Sequence, residues 1–294
     1  LDEISTELNT LKTELAQIDP NRYPETVQET PVREYVVMAQ NFSTLAADGL
    51  SEYRPVIEQL PKVAGAGEQR KKYLILFQND NELRPTGGFL TAYAIINVTD
   101  GKVEAEKSDD IYELDKKFTK KTPIPPELGR YLTTEKYLNL RDMNISPDFQ
   151  VAMDLFLENY QTVKGEPQDI DGIIAVDTHF LTNLMNVLGP VEVPGYGTFS
   201  AQNDPRCDCP QIIYVLSEII TKPTPYLRDD RKGILGPLMR SLLTKAYTAP
   251  KNTWPQLFQT GFESIQNRHA QFYFLDEQAQ NAAELAQVAG KMTP

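Results

Sequence analysis

Apolar residues run without interruption from Tyr73 to Phe77 and again from Ile173 to Val176. A strand with one wet face alternates apolar and polar positions. Unbroken runs therefore predict strands covered on both faces, central in one sheet and near neighbours within it. Phe89 to Val98 reads as a further strand, Asp100-Gly101 as a hairpin turn, Lys102 to Lys107 as the returning strand, and Gln271 to Leu275 as a last one. Elsewhere the period is helical. Phe149 to Tyr160 follows the capping sequence Ser146-Pro147-Asp148, and Phe180 to Leu188 ends at Gly189-Pro190. Gln211 to Ile220, a segment with Ile234, Leu235, Leu238, Leu242 and Leu243 inward, and Glu277 to Ala289 complete the helices. Strand, helix and strand in succession predict a crossover and a partly parallel sheet. The expected fold class is α/β, a three-layer α/β/α sandwich with a mixed central sheet.

The first 66 residues carry no strand pattern. Leu1, Ile4, Leu8, Leu11, Leu15 and Ile18 alternate three- and four-residue spacings and make one narrow apolar seam on a helix that Pro20 ends. Thr30-Pro31 opens a second helix, expected to bury Val32, Tyr35, Val36, Ala39, Phe42 and Leu45. Such helices pack on each other or on the main domain, or pair with a second copy as a coiled coil. Pro61 and Gly65-Ala66-Gly67 mark a boundary. The domain reading is a helical appendage over 1–66, taken as a membrane-proximal stalk, and an α/β domain over 67–294.

Composition narrows the partners. The chain has 294 residues, 40% hydrophobic and 24% charged, enough for a sizeable core and without the bias of disorder. Its 41 acids outnumber 29 bases, for a net charge of −12 that repels nucleic acid. An anionic ligand must therefore meet a local concentration of arginine, or acids holding a divalent cation. No apolar run reaches membrane-spanning length, and the chain opens on Leu1 rather than Met, so an upstream anchoring segment is expected outside it. Cys207 and Cys209 flank Asp208; they either bond across that residue or stay as two thiols, too few for zinc without His179 and His269, the two histidines of the chain.

The candidate chemistry gathers where the first buried strand ends. Asp80, Glu82 and Arg84 stand close together, Pro85 fixes one backbone angle, and Gly87-Gly88 removes side-chain bulk before the next strand. The stretch reads either as a solvated turn or as a phosphate or metal-phosphate loop at a strand end, where open α/β sheets bind ligands. It matches no Walker or dinucleotide glycine motif. Asp109 and Asp110 end the third strand, and two adjacent acids repel unless solvated or bridged by a cation.

On these residues the chain resembles the bacterial family known as domain of unknown function 4012. The resemblance lies in Leu76-Phe77-Gln78-Asn79 through Glu82-Leu83-Arg84-Pro85-Thr86-Gly87-Gly88-Phe89, and in Leu140-Arg141-Asp142 with Ser146-Pro147-Asp148-Phe149. It continues through Asp171 to Asp177 and Leu188-Gly189-Pro190-Val191. That family is similar in turn to the LytR-CpsA-Psr proteins, which transfer glycopolymers from polyprenyl-pyrophosphate lipids to the bacterial cell wall. The resemblance implies that Asp80 and Arg84 stand for the first acid and arginine of those transferases, Asp110 or Asp109 for their strand-end acid, and Asp230 and Arg231 for a late acid-arginine cluster. Such acids hold Mg²⁺ there and such arginines grip the pyrophosphate. Two features depart from the pattern: Asp109 stands where the transferases have an arginine, and Tyr214 is followed by Val215-Leu216-Ser217 instead of an Arg-x-Arg pair.

The implied protein works outside the cytoplasmic membrane. It binds a polyprenyl-phosphate-linked glycan through Mg²⁺ on Asp80, Asp110 and Asp230, with Arg84, Arg141, Arg228 and Arg231 on the phosphates. As a catalyst it would pass the glycan to a cell-wall acceptor, with Asp80 or Asp110 assisting the acceptor hydroxyl. The alternative is a non-catalytic scaffold or surface-interaction module that keeps the fold.

Overall fold

A computed structural model of the protein describes residues 1–132, 135–221 and 234–292. The chain forms two compact units, residues 1–59 and 60–294.

In the first unit, α1 (Asp2–Ala16) and α2 (Val32–Glu52) make an antiparallel helical hairpin. Lys12 pairs with Asp48 at 2.6 Å, and the Gln40 amide donates to the carbonyls of Leu15 and Ile18. The apolar stripe expected on α2 is corrected here. Tyr35, Ala39, Phe42 and Leu45 are exposed, whereas Ser43 and Ala47 are the buried positions. Small side chains let a partner helix approach closely, so the close face of α2 is its less hydrophobic one. Next, α3 (Arg54–Val63) crosses the division between the units.

The second unit opens with β1 (Lys71–Asn79), β2 (Phe89–Thr99) and β3 (Lys102–Asp110), an antiparallel meander, followed by α4 (Ile111–Lys117) and the short α5 (Pro126–Gly129). Then come α6 (Phe149–Tyr160), β4 (Gly172–Asp177) and α7 (Thr178–Leu188). Two small hairpins follow, β5 (Val191–Val193) with β6 (Gly197–Phe199) and β7 (Asn203–Asp204) with β8 (Cys209–Pro210). The rest is α8 (Gln211–Thr221), α9 (Leu235–Tyr247), α10 (Trp254–Gln266), β9 (Ala270–Phe274) and α11 (Glu277–Leu285).

The five-stranded sheet has the order β3-β2-β1-β4-β9. As the apolar runs require, β1 and β4 are central and adjacent, and they are parallel, with Tyr73 opposite Gly172 and Gln78 opposite Asp177. Alternation along β1 sends Leu74 and Leu76 to one face, where Phe149, Met153, Phe156 and Tyr160 of α6 form the larger core. Tyr73 and Ile75 point to the other face, with Phe77 and with Met239 of α9. Helices thus cover both faces of a mixed sheet, the expected α/β class.

Gly65 is more than a linker. Its φ is +68°, and a Cβ there would stand 2.5 Å from the carbonyl oxygen of Val98. The glycine stretch is pressed against the β2–β3 turn, whose Asp100 N–H donates to the Gly65 carbonyl.

Candidate functional site

The end of the sheet where β1 and β4 finish carries two neighbouring cavities. The larger, about 540 Å³, lies between the sheet and the helices α7, α8 and α9. Its walls are nearly all apolar: Ile75, Phe77, Ile174 and Val176 from the sheet face Leu181, Leu216 and Leu242 from the helices. Apart from Ser217 of α8, the polar residues that line it among the described residues gather toward the strand ends, Asn79, Asn81, Thr91, Asp177 and Thr178 among them. Asn79 and Thr91 also line the second cavity, about 320 Å³, with Arg84, Arg141, Tyr112, Glu82, Glu135 and Asp142. An apolar chamber therefore lies beside a charged one.

The loop between β1 and β2 is held by a buried amide knot. Gln78 accepts hydrogen bonds from the Thr86 hydroxyl at 2.6 Å and from the Gly88 N–H at 3.3 Å. Asn144 donates to the Thr86 hydroxyl and to the Gly88 carbonyl, and Gln271 donates to the Thr86 carbonyl. A Cβ on Gly88 would sit 2.5 Å from the Asn79 carbonyl oxygen. Much of the Thr-Gly-Gly signature thus serves to fix the loop, and Arg84 is what the fixed loop presents, its guanidinium 5.0 Å from the Phe89 ring centre.

Of the arginines expected on phosphate, Arg84 and Arg141 meet in the smaller cavity. Arg141 is already engaged: Asp115 at 2.7 Å, Glu135 at 2.6 Å and Asp142 at 3.6 Å surround it, and its side chain is 14% exposed. Burial pushes the carboxyls of Asp115 and Asp142 above the ordinary range, and Arg141 pulls against that rise. The cavity wall holds two cations and three acids, a net −1 that suits a phosphate only in the company of a cation.

Asp80 and Asp110 leave strands that are not neighbours in the sheet. Asp110 lies opposite Ala92 at the end of β3 and caps α4, its carboxylate accepting from the Tyr112 N–H at 3.0 Å. Asp80 follows Asn79, which pairs with Phe89, so β2 separates the two acids by two strand spacings, roughly 10 Å. Arg228, Asp230 and Arg231 lie outside the described residues.

Asp80 turns instead toward β4. It accepts a hydrogen bond from the Thr178 hydroxyl and contacts Nδ1 of His179 at 2.6 Å. Beside it, Asp177 caps α7 by accepting from the Phe180 N–H at 2.9 Å, and its other oxygen is 2.8 Å from Nδ1 of His269. The two imidazoles stack, with centres 4.8 Å apart and planes 19° from parallel. Asp177, His179 and His269 were not among the site residues read from the sequence. The antiparallel pairing of β4 with β9, Val176 opposite Ala270, places Asp177 beside His269, and only the strand order reveals it.

Cys207 and Cys209 are joined in a disulfide. Among the described residues no helix is long and apolar enough to cross a membrane.

A mixed sheet with helices on both faces makes this an α/β protein, and comparison with known proteins gives its likenesses. Residues 68–205 match the model of the family described as protein of unknown function (DUF4012), on the segment that carries the Asn79-to-Phe89 loop. No curated protein matches the chain in sequence. Among solved structures it is similar to protein gbs0355 of Streptococcus agalactiae, at 12% identity over 75% of this chain and 73% of that one, TM-score 0.42. It is also similar to Lin1025 of Listeria innocua, at 10% identity over 76% and 81%, TM-score 0.38, and to B. subtilis TagV, at 12% identity over 75% and 80%, TM-score 0.37.

Proposed function

We propose that the protein is a cell-envelope component that binds a polyprenyl-phosphate-linked glycan, with the isoprenoid in the apolar chamber and the phosphates at the charged mouth beside Arg84. The observation that carries this reading is that the apolar and the charged cavity are neighbours, with Asn79 and Thr91 in the walls of both. An apolar chamber of this size falls within the ordinary range for ligand sites, and a hydrocarbon tail needs no polar partner inside it. The resemblance of the loop motif to glycopolymer-handling proteins points to the same ligand. So does the disulfide, since such bonds persist in oxidising compartments outside the cytoplasm. Mg²⁺ would enter as the counter-ion of a pyrophosphate, offsetting the excess of acid at the mouth. Transfer to a cell-wall acceptor is the further step that such binding would serve.

One observation favours the second reading, a non-catalytic scaffold. Arg141 is neutralised by three acids, which leaves a pyrophosphate fewer charge-assisted contacts, each worth about 1.5 to 3 kcal/mol.

Native mass spectrometry in detergent tests the proposal with a polyprenyl phosphate and the matching polyprenol. The phosphate should bind more tightly, Arg84→Ala should erase that preference, and Val176→Trp, which fills the chamber, should abolish both complexes. Failure of the polyprenyl phosphate to bind, or binding unchanged in Val176→Trp, would reject the site. Equal affinity for the phosphate and the alcohol would favour the scaffold.

A further inference from the structure

We infer that Asp177, His179 and His269 form a site for a transition-type divalent cation, zinc being the type case, with Asp80 as the carboxylate that orients His179. One ligand atom from each of the first three residues lies within 4.8 Å of the others. They come from three places in the chain: the last residue of β4, the first turn of α7 and the residue before β9. The chain has two histidines, and both are here.

Chemistry selects the kind of ion. Two imidazoles and a carboxylate form a nitrogen-rich donor set, which suits zinc, cobalt or nickel, whereas Mg²⁺ and Ca²⁺ prefer all-oxygen shells. Asp80 lies at Nδ1 of His179, while the Asp177 carboxylate and Nδ1 of His269, 2.8 Å apart, are close enough to be two ligands of one ion. A carboxylate at one ring nitrogen fixes the tautomer and leaves the other nitrogen with its lone pair for a metal. Electrostatics agrees. With both imidazoles neutral, as ligation requires, the four side chains carry two negative charges in a small volume, and a divalent ion cancels them. Access is open, because the His179 side chain is 61% exposed, while Asp177 and Asp80 are largely covered. Three protein ligands at an exposed position leave a fourth place for water. The site adjoins the apolar chamber, which Asp177 and Thr178 line.

Isothermal titration of the full chain with Zn²⁺ tests this, without reductant so that Cys207 and Cys209 stay bonded and offer no thiolate. Co²⁺, whose visible absorption reports nitrogen ligation, is titrated in parallel, and Mg²⁺ serves as competitor. One Zn²⁺ should bind per chain, and a large excess of Mg²⁺ should leave it in place. His179→Ala and His269→Gln should each weaken binding at least about tenfold, and Asp80→Asn about 10- to 100-fold through loss of orientation. His179 is exposed, so His179→Ala isolates ligation from folding, and circular dichroism checks that each variant is folded. No Zn²⁺ binding by the parent, binding that survives either histidine substitution, or displacement by Mg²⁺ would overturn the site.

Discussion

Single residues show how far a side chain's meaning depends on its neighbours. Glu166 is fully buried, and Lys107 and Lys117 each reach it at 2.7 Å. Burial alone would raise its carboxyl, but hydrogen bonds from the two lysines overcome that and leave it below the ordinary range. An acid whose folded pKa is lowered contributes stability that is full above its unfolded value and is lost as the pH falls through the folded one. Glu166→Gln should therefore cost about 1 to 3 kcal/mol at neutral pH, discounted because both lysines are partly exposed, and the cost should shrink in acid. Urea denaturation of parent and variant across the acid range measures it. Asp109, Asp115 and Asp142 work in the opposite sense. Burial raises them, so each opposes folding above its folded pKa, and that opposition eases as the pH falls through it. The sequence displays all of these acids alike. Which are tied, capped or stacked depends on contacts between distant segments, which is why Asp80 and Arg84 could be singled out in the sequence as candidates while the company Asp80 keeps could not.

At the scale of elements, the connection between β1 and β2 is the most constrained part of the site. Gly88→Ala should destabilise the protein by about 1 to 3 kcal/mol, because the added methyl meets backbone and not a movable side chain. Thermal unfolding gives the stability loss, and weaker polyprenyl-phosphate binding would accompany a displaced Arg84. Elements whose apolar pattern matched their burial were readable from sequence: β1 and β4 as unbroken runs, and α6 with Phe149, Met153, Phe156 and Tyr160 inward. Where close packing uses small residues, the pattern misleads. On α10, Ser264 is buried and Phe258 and Phe262 are exposed, and that helix went unrecognised in the sequence. The stripe on α2 misled for the same reason.

At the scale of the whole molecule, the order of the sheet carries a consequence in time. The meander from β1 to β3 pairs strands that are close in sequence, whereas β4 must find β1 across α4, α5 and α6, and β9 must find β4 across half the domain. Closing long loops is entropically expensive before the contacts that reward it exist, so the local hairpins assemble early and the parallel pair late. Pulse-labelled hydrogen exchange during refolding should show amides of β2 and β3 protected before those of β9, and simultaneous protection would reject that order. The chamber and the paired histidines straddle the late-forming seam between β1, β4 and β9. A half-folded chain therefore has its hairpins but no place for lipid or metal, and ligand added during refolding can act only on the last step.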